Sequence, residues 1–272
     1  MCPNCRAFVT TGDRECPYCE AKLGDRAIDR RMPADILGGL IPHARFTTVM
    51  ILVVNFGFYL ATAIYSIQAG NEGGFMDIDG RTLYDFGAKF RDAVLAGHWW
   101  RLITAGFLHG GMMHIVMNSW VLFDLGTQIE ELYGTSRLLA IYFVSTVSGF
   151  MASTFWSSSL SVGASAGIFG LLGAMLAYGM THRTAMGAAV KAMYGRYVVY
   201  GLLFGLIPMF RVDNAAHLGG LAGGFCCSWL AGVPGLVVTW KERFWRAAAG
   251  VSMTLTVMAF LQMFVWFTER GR

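Results

Sequence analysis

Long apolar stretches alternate with short polar ones along this chain, and only the first 45 residues break the rhythm. Seven apolar runs stand out, at about 46 to 67, 106 to 127, 137 to 157, 165 to 181, 194 to 211, 215 to 234 and 247 to 267. A helix needs about 20 residues to cross the hydrocarbon core of a bilayer. The runs are therefore read as membrane-spanning helices, and the shorter fourth and fifth must borrow flanking residues or be sheltered by neighbours. No alternating βαβ pattern is present, so the predicted fold is an all-α polytopic membrane protein. A long polar-aromatic connection, from Gln68 to about Ile103, separates the first two runs. Within it Phe86, Phe90 and Val94 recur at four-residue spacing, followed by Trp99-Trp100-Arg101, which suits an amphipathic segment at the interface with aromatic anchors.

Composition sharpens this reading. With 55% hydrophobic and 14% charged residues, the chain lies outside the range of ordinary soluble domains. Its 34 glycines and 16 methionines fit helices that approach closely in lipid. A net charge of +4 is modest and implies no nucleic-acid partner. The first 30 residues lack an apolar core segment, so no cleavable signal peptide is predicted. With the amino terminus inside, 14 of the 21 Lys and Arg residues fall on the cytoplasmic side. The predicted orientation is N-in and C-out in the inner or plasma membrane.

Cys2-Pro3-Asn4-Cys5 and Cys16-Pro17-Tyr18-Cys19 form C-x2-C-x10-C-x2-C. Four thiolates at that spacing can close a tetrahedron around Zn(II), and so small a unit has no core to fold it without the metal. Two disulfides are the alternative, and they would need an oxidising compartment. The reading is a structural zinc ribbon over residues 1–24, with no cofactor for catalysis. A basic linker over 25–45 carries Arg26, Arg30, Arg31 and Arg45. It is followed by a six-helix core over 46–234, then a cytosolic loop and a seventh helix over 235–272.

Chemistry concentrates in one predicted layer. Gly163-Ala164-Ser165-Ala166-Gly167 has the G-x-S-x-G form of a hydrolase nucleophile elbow, but a small-residue membrane helix follows Ser165 in place of a strand–turn–helix. The second, fourth and sixth runs all travel inward in the predicted topology. His114, Asn118, Ser165 and His217 then share the outer half of the membrane. Polar groups in membrane helices are costly and face cavities, so several at one depth argue for a water-containing site. Serine needs a base, which histidine supplies near neutral pH. The oxyanion formed on attack needs donors, and His114 and Asn118, four residues apart, lie on one helix face. Taken singly, each would read as an interhelical hydrogen bonder.

At these residues the chain resembles the rhomboid family of intramembrane serine proteases. The resemblance rests on Gly163-Ala164-Ser165, Ala216-His217-Leu218-Gly219-Gly220-Leu221-Ala222-Gly223-Gly224, His109-x4-His114-x3-Asn118, Trp100-Arg101, and Glu130 with Tyr133-Gly134, over about residues 75 to 225. It implies Ser165 as nucleophile, His217 as general base in a dyad, and His114 and Asn118 as oxyanion-hole donors. It also implies transmembrane protein substrates cleaved near the outer face, lateral access near the second and fifth helices, and a mobile loop at about Phe210 to Ala215. Phe169 stands where many relatives carry a tyrosine against the catalytic imidazole.

Gly163, Gly220 and Gly224 are read as spacing residues, and Glu130 and Arg101 as structural hydrogen bonders. Asp213 is read as a solvated loop residue, and Cys226 and Cys227 as buried packing. The seventh run resembles the extra helix of six-plus-one rhomboids. The ribbon is an accessory unit open to a cytosolic partner of unknown kind. Two rivals remain: a catalytically silent rhomboid-like protein that binds membrane clients, and a small-solute transporter, for which the chain shows no inverted repeat.

Overall fold

A computed structural model describes residues 45–270 except 208–211 and 236–238, together with residues 2, 4–5, 7–9, 13 and 15–23. Most of the linker read at 25–45, and the first two residues of the loop read at 210–215, lie outside the described residues. Helices dominate: α1 (Phe46–Gln68), three short helices α2 (Gly80–Asp85), α3 (Arg91–Leu95) and α4 (Arg101–Thr104), then α5 (Met112–Trp156), α6 (Ser165–Thr181), α7 (Ala185–Phe204), α8 (Asn214–Ala231) and α9 (Trp240–Arg270). By length and apolarity α1, α5 and α9 suffice to cross a membrane, and α6 is a shorter apolar helix. The chain is a multi-pass helical membrane protein.

At 45 residues, α5 would extend about 68 Å if straight, twice a bilayer core. Gly134, at φ 78° and ψ 162°, divides it into two arms, because a positive φ is open to glycine at little cost. The second arm doubles back: its Tyr142 ring meets that of Phe107, in the turn that precedes the first arm, at 6.5 Å. These arms are the predicted second and third spans. The first begins at Met112, not near 106, since residues 105–107 form a separate 3-10 turn before Gly110-Gly111. Likewise α7 begins at Ala185, well before 194. Thr184 caps it through Gly187 N–H (3.1 Å), a polar start that a search for apolar runs passes over.

The core is built on α6. Twelve of its 17 residues are buried, packed among α5, α7 and α8, which is how so short a helix is sheltered. Its glycines face those of α8: Gly170 meets the backbone of Gly224, and a Cβ on Gly173 would stand 2.8 Å from Phe225 N. On α8, Gly220 abuts the Ala166 carbonyl. Contacts between backbones replace side-chain interdigitation, as expected where small residues pack helices in lipid.

Glu130, read as structural, closes the amino end of α1. Its carboxylate accepts from Thr47 N–H and Thr48 N–H, both at 3.0 Å, and from Thr48 Oγ1 at 2.9 Å. An anion there complements the free N–H groups and positive dipole of a helix start.

The α1–α5 connection is not the single amphipathic segment expected from Phe86, Phe90 and Val94. It folds into α2, α3 and α4 with turns at Gly87 and Gly97, positions a 3.6-residue period does not register. Asp79 caps α2 at Thr82 N–H (2.9 Å) and accepts from Ser66 on α1 (2.8 Å). Arg101 is buried, donating to Tyr84 O (2.8 Å) and Ala88 O (2.9 Å). The rings of Tyr84, Trp100 and Trp266 surround its guanidinium at 4.1 to 4.6 Å. Trp266 belongs to α9, which also stacks Phe260 on Phe58 of α1 (4.5 Å). Near its other end, Glu242 binds Arg137 of α5 in a bidentate pair at 2.7 and 2.8 Å.

Candidate active site and metal cluster

Ser165 is the first residue of α6 and half-buried, with its neighbours Ala164 and Ala166 fully buried. The segment entering it is fastened by Gly163 N–H to Ala105 O (2.9 Å) and by a two-way backbone pairing of Ser161 with Lys89 (3.0 Å each). Gly163 has φ 132°, and a Cβ there would lie 2.7 Å from His114 Nε2 and 3.5 Å from Asn118 Nδ2. Only glycine gives this bend while leaving room for both side chains. The predicted clearance at Gly163 is thus for the two polar side chains of α5.

His114 Nδ1 accepts a hydrogen bond from Gly110 N–H (3.3 Å). A neutral imidazole accepting at Nδ1 carries its proton on Nε2, the nitrogen turned toward Gly163. Asn118 Nδ2 is buried with no hydrogen-bond partner among the described residues. Two N–H donors therefore converge on the backbone just before Ser165. His109, behind them, is fully buried with its ring 5.1 Å from that of His114.

His217 lies in the first turn of α8 and is only 5% exposed. Phe169, one turn along α6 from Ser165, stacks on its imidazole with centroids 3.9 Å apart and planes at 13°. Its Nδ1 has no hydrogen-bond partner among the described residues. No hydrogen bond joins Ser165 and His217 among the described residues; catalytic hydrogen bonds often tighten only with substrate in place.

His114, Asn118, Ser165, Phe169 and His217 all line one cavity of about 1740 Å³. It extends between the first arm of α5, at Met117, Trp120 and Val121, and α7, at Tyr197, Tyr200 and Phe204. Trp120 and Tyr200 are largely exposed there. Its lining joins apolar side chains such as Met117, Val121 and Phe204 to the polar groups of His114, Asn118, Ser165 and His217.

Asp213, expected to be solvated, is a half-buried N-cap. Its Oδ1 accepts from Ala216 N–H (3.0 Å), and its other oxygen accepts from Ser153 Oγ. An Asp immediately before a helix start is a capping signal that the sequence carried. Cys226, expected to be buried, is exposed on α8, while Cys227 is half-buried. Lys89 has a fully buried side chain donating to Ser157 O (2.8 Å) and Ser159 O (3.1 Å), and sequence reasoning gave it no role.

In the amino-terminal segment the thiols of Cys2, Cys5, Cys16 and Cys19 lie within 4.8 Å of one another. The pairs Cys2–Cys19 and Cys5–Cys16 stand at 3.6 Å, far beyond the ~2.05 Å of a disulfide. Sulfurs about 2.3 Å from a tetrahedral zinc are separated by about 3.8 Å, so the cluster has the dimensions of a four-thiolate metal site. Amide donors, Cys5 N–H first and then Asn4 N–H, lower the Cys2 thiol to about 6; at Cys5 the Ala7 N–H lowers the thiol, but hydrogen bonding with the neighbouring thiols and desolvation outweigh it and push it up to about 12.

A polytopic helical protein with a serine, a stacked histidine and paired N–H donors at the head of a membrane cavity has the elements of an intramembrane serine hydrolase. Comparison with known proteins gives the family. Residues 96–234 match the rhomboid domain family. Rhomboid-like protease 1 of Toxoplasma gondii is 30% identical over 237 residues, covering 78% of this chain and 76% of that protein. Rhomboid protease GluP of Bacillus subtilis (strain 168) is 37% identical over 153 residues, 56% of this chain and 30% of GluP. RHOMBOID-like protein 6, mitochondrial, of Arabidopsis thaliana is 36% identical over 170 residues, 61% of this chain and 55% of that protein. The chain belongs to the rhomboid family. It spans under a third of GluP and about half of the plant relative.

Proposed function

We propose that this protein is an intramembrane serine endopeptidase that cleaves transmembrane protein substrates by a Ser165–His217 dyad, near the outer membrane face. The observation that carries the reading is the convergence of Ser165, His217, His114 and Asn118 on one cavity. Relatives named as proteases support the same class.

Ser165 Oγ attacks the scissile carbonyl carbon while His217 takes its proton at Nε2. The carbonyl oxygen becomes an oxyanion, bonded by His114 Nε2–H and Asn118 Nδ2–H. These donors are already fixed, so little reorganisation accompanies the charge. The C–N bond then breaks, and His217 returns the proton to the departing amine. Water, deprotonated by the same imidazole, attacks the acyl-enzyme and frees the new carboxylate and Ser165. No carboxylate bonds His217 Nδ1 among the described residues; the stack with Phe169 orients the ring in its place, which favours a dyad over a triad.

The opening between the first arm of α5 and α7 supports lateral access of a substrate helix from lipid. Residues 46–234 form the proteolytic core, and the cysteine cluster holds a structural zinc in a cytosolic ribbon. That orientation, N-in and C-out in the inner or plasma membrane, rests on the distribution of Lys and Arg.

The test is cleavage of a transmembrane test substrate by purified protein in lipid vesicles. Ser165→Ala and His217→Ala should each lower kcat by at least on the order of 10³-fold. Cleavage by both variants at the parent's rate would refute the dyad, and no cleavage by the parent would favour a client-binding protein.

A further inference from the structure

His217 must keep its imidazole aimed at Ser165, yet Nδ1, the nitrogen usually held by a partner, has none among the described residues. Its orientation therefore depends on the Phe169 ring and on the placement of the first turn of α8. That turn is held from two sides: Asn214 Nδ2 donates to Leu202 O on α7 (3.1 Å), and Asp213 makes the ties toward α5. Asp213 caps it through Ala216 N–H (3.0 Å), accepts His217 N–H at its carbonyl (3.1 Å), and takes a hydrogen bond from Ser153 Oγ at its second carboxylate oxygen.

Ser153 is fully buried on the second arm of α5. One turn later Ser157 N–H bonds Ser153 O (2.8 Å), and the carbonyls of Ser157 and Ser159 receive Lys89 Nζ. Lys89 pairs through its main chain with Ser161, four residues before Ser165. The end of α5 thus fastens both approaches: a carboxylate ties down the turn bearing His217, and an ammonium ties down the segment leading to Ser165. Their opposite charges act on each other.

We propose that Asp213 is a positioning residue for the general base: by joining the cap of α8 to Ser153 on α5, it fixes His217 relative to Ser165. The proposal rests on the Ser165–His217 reading. Asp213 has no part as a third member of a triad, because both its oxygens are engaged elsewhere.

The test uses the full chain in lipid vesicles with two readouts: kcat and KM on a transmembrane test substrate, and the rate at which a fluorophosphonate labels Ser165. Labelling forms an O–P bond, expels fluoride and needs the serine proton removed, so it reports base positioning without substrate binding. Misplacement by about 1 Å can cost on the order of 10²-fold, and Asp213→Ala should lower kcat and the labelling rate together by about that factor. KM should stay within about twofold, as for an interaction absent from ground-state binding. Asp213→Asn should stay within about threefold of the parent, because its carbonyl still accepts from Ala216 N–H and its amide can donate to Ser153 Oγ.

Ser153→Ala removes only the tie, keeps the cap, and should slow both rates by an intermediate factor. This variant decides the matter if Asp213→Ala does not fold. Asp213→Ala or Ser153→Ala matching the parent in both rates would overturn the proposal. So would Asp213→Asn as slow as Asp213→Ala, since the charge and not the hydrogen bonds would then be acting. If Ser165→Ala cleaves like the parent, the dyad fails first and the positioning role falls with it.

Discussion

Phe169 shows how one side chain changes what a histidine can do. An imidazole in a membrane helix can turn about its χ angles, and His217 has no hydrogen bond at Nδ1 among the described residues to stop it. The parallel stack at 3.9 Å does so with apolar atoms alone. Such aromatic contacts are worth about 1 kcal/mol, or roughly fivefold in a rate. Phe169→Ala should therefore slow cleavage by about that factor, while Phe169→Tyr should hold near the parent; kcat on the same test substrate checks both. The meeting of Ser165, His217, His114 and Asn118 at one cavity was legible from their common depth in the predicted helices, and the clustering of the four cysteines from their local, repeated spacing. Asp213 was misread as a solvated loop residue, because its bond to Ser153, sixty residues away, has no trace in local spacing.

Helix boundaries were legible where apolar content changes sharply, as for α1 and α6, and less so where glycine, threonine or backbone turns decide. The start of α7 and the subdivision of the α1–α5 connection are of the second kind. The predicted close approach of the helices bearing Ser165 and His217 is what the Gly170–Gly224 and Gly220–Ala166 contacts deliver. Because Gly220 meets a backbone carbonyl that cannot swing away, Gly220→Ala should destabilise by about 1 to 3 kcal/mol and lower activity as well; a thermal melt with a cleavage assay checks it.

The amino-terminal cluster makes a separate prediction. Purified protein should carry one zinc per chain, and Cys2→Ser with Cys16→Ser should remove it. The melting of the helical core should remain, since among the described residues the core's packing does not involve these four thiols. Elemental analysis finding no metal in the parent would remove the zinc assignment.

At the scale of the whole molecule, α9 and the α1–α5 connection brace the bundle through Glu242–Arg137, Phe260–Phe58 and the rings around Arg101. The hydropathy pattern announced a seventh helix without telling which helices it touches, since lipid-facing and protein-facing residues are equally apolar.

Acid should loosen this brace at Asp79. Partial burial pushes its carboxyl up, but hydrogen bonds from Thr82 and Ser66 outweigh that and hold it below the ordinary value. A depressed carboxylate stabilises the fold above its unfolded pKa of about 4, and that contribution is lost as pH falls through the lower folded value. Melting temperature should fall as pH drops below about 4 and do so less in Asp79→Asn; identical acid profiles would contradict this.

The central claim is that Ser165 is the nucleophile and that His217 activates it across the head of the cavity. The most direct measurement is mass-spectrometric mapping of the fluorophosphonate adduct on the folded protein in vesicles. The account predicts one adduct, on Ser165, nearly abolished in His217→Ala at an unchanged melting temperature. An adduct on another serine, or equal labelling of Ser165 without His217, would contradict it.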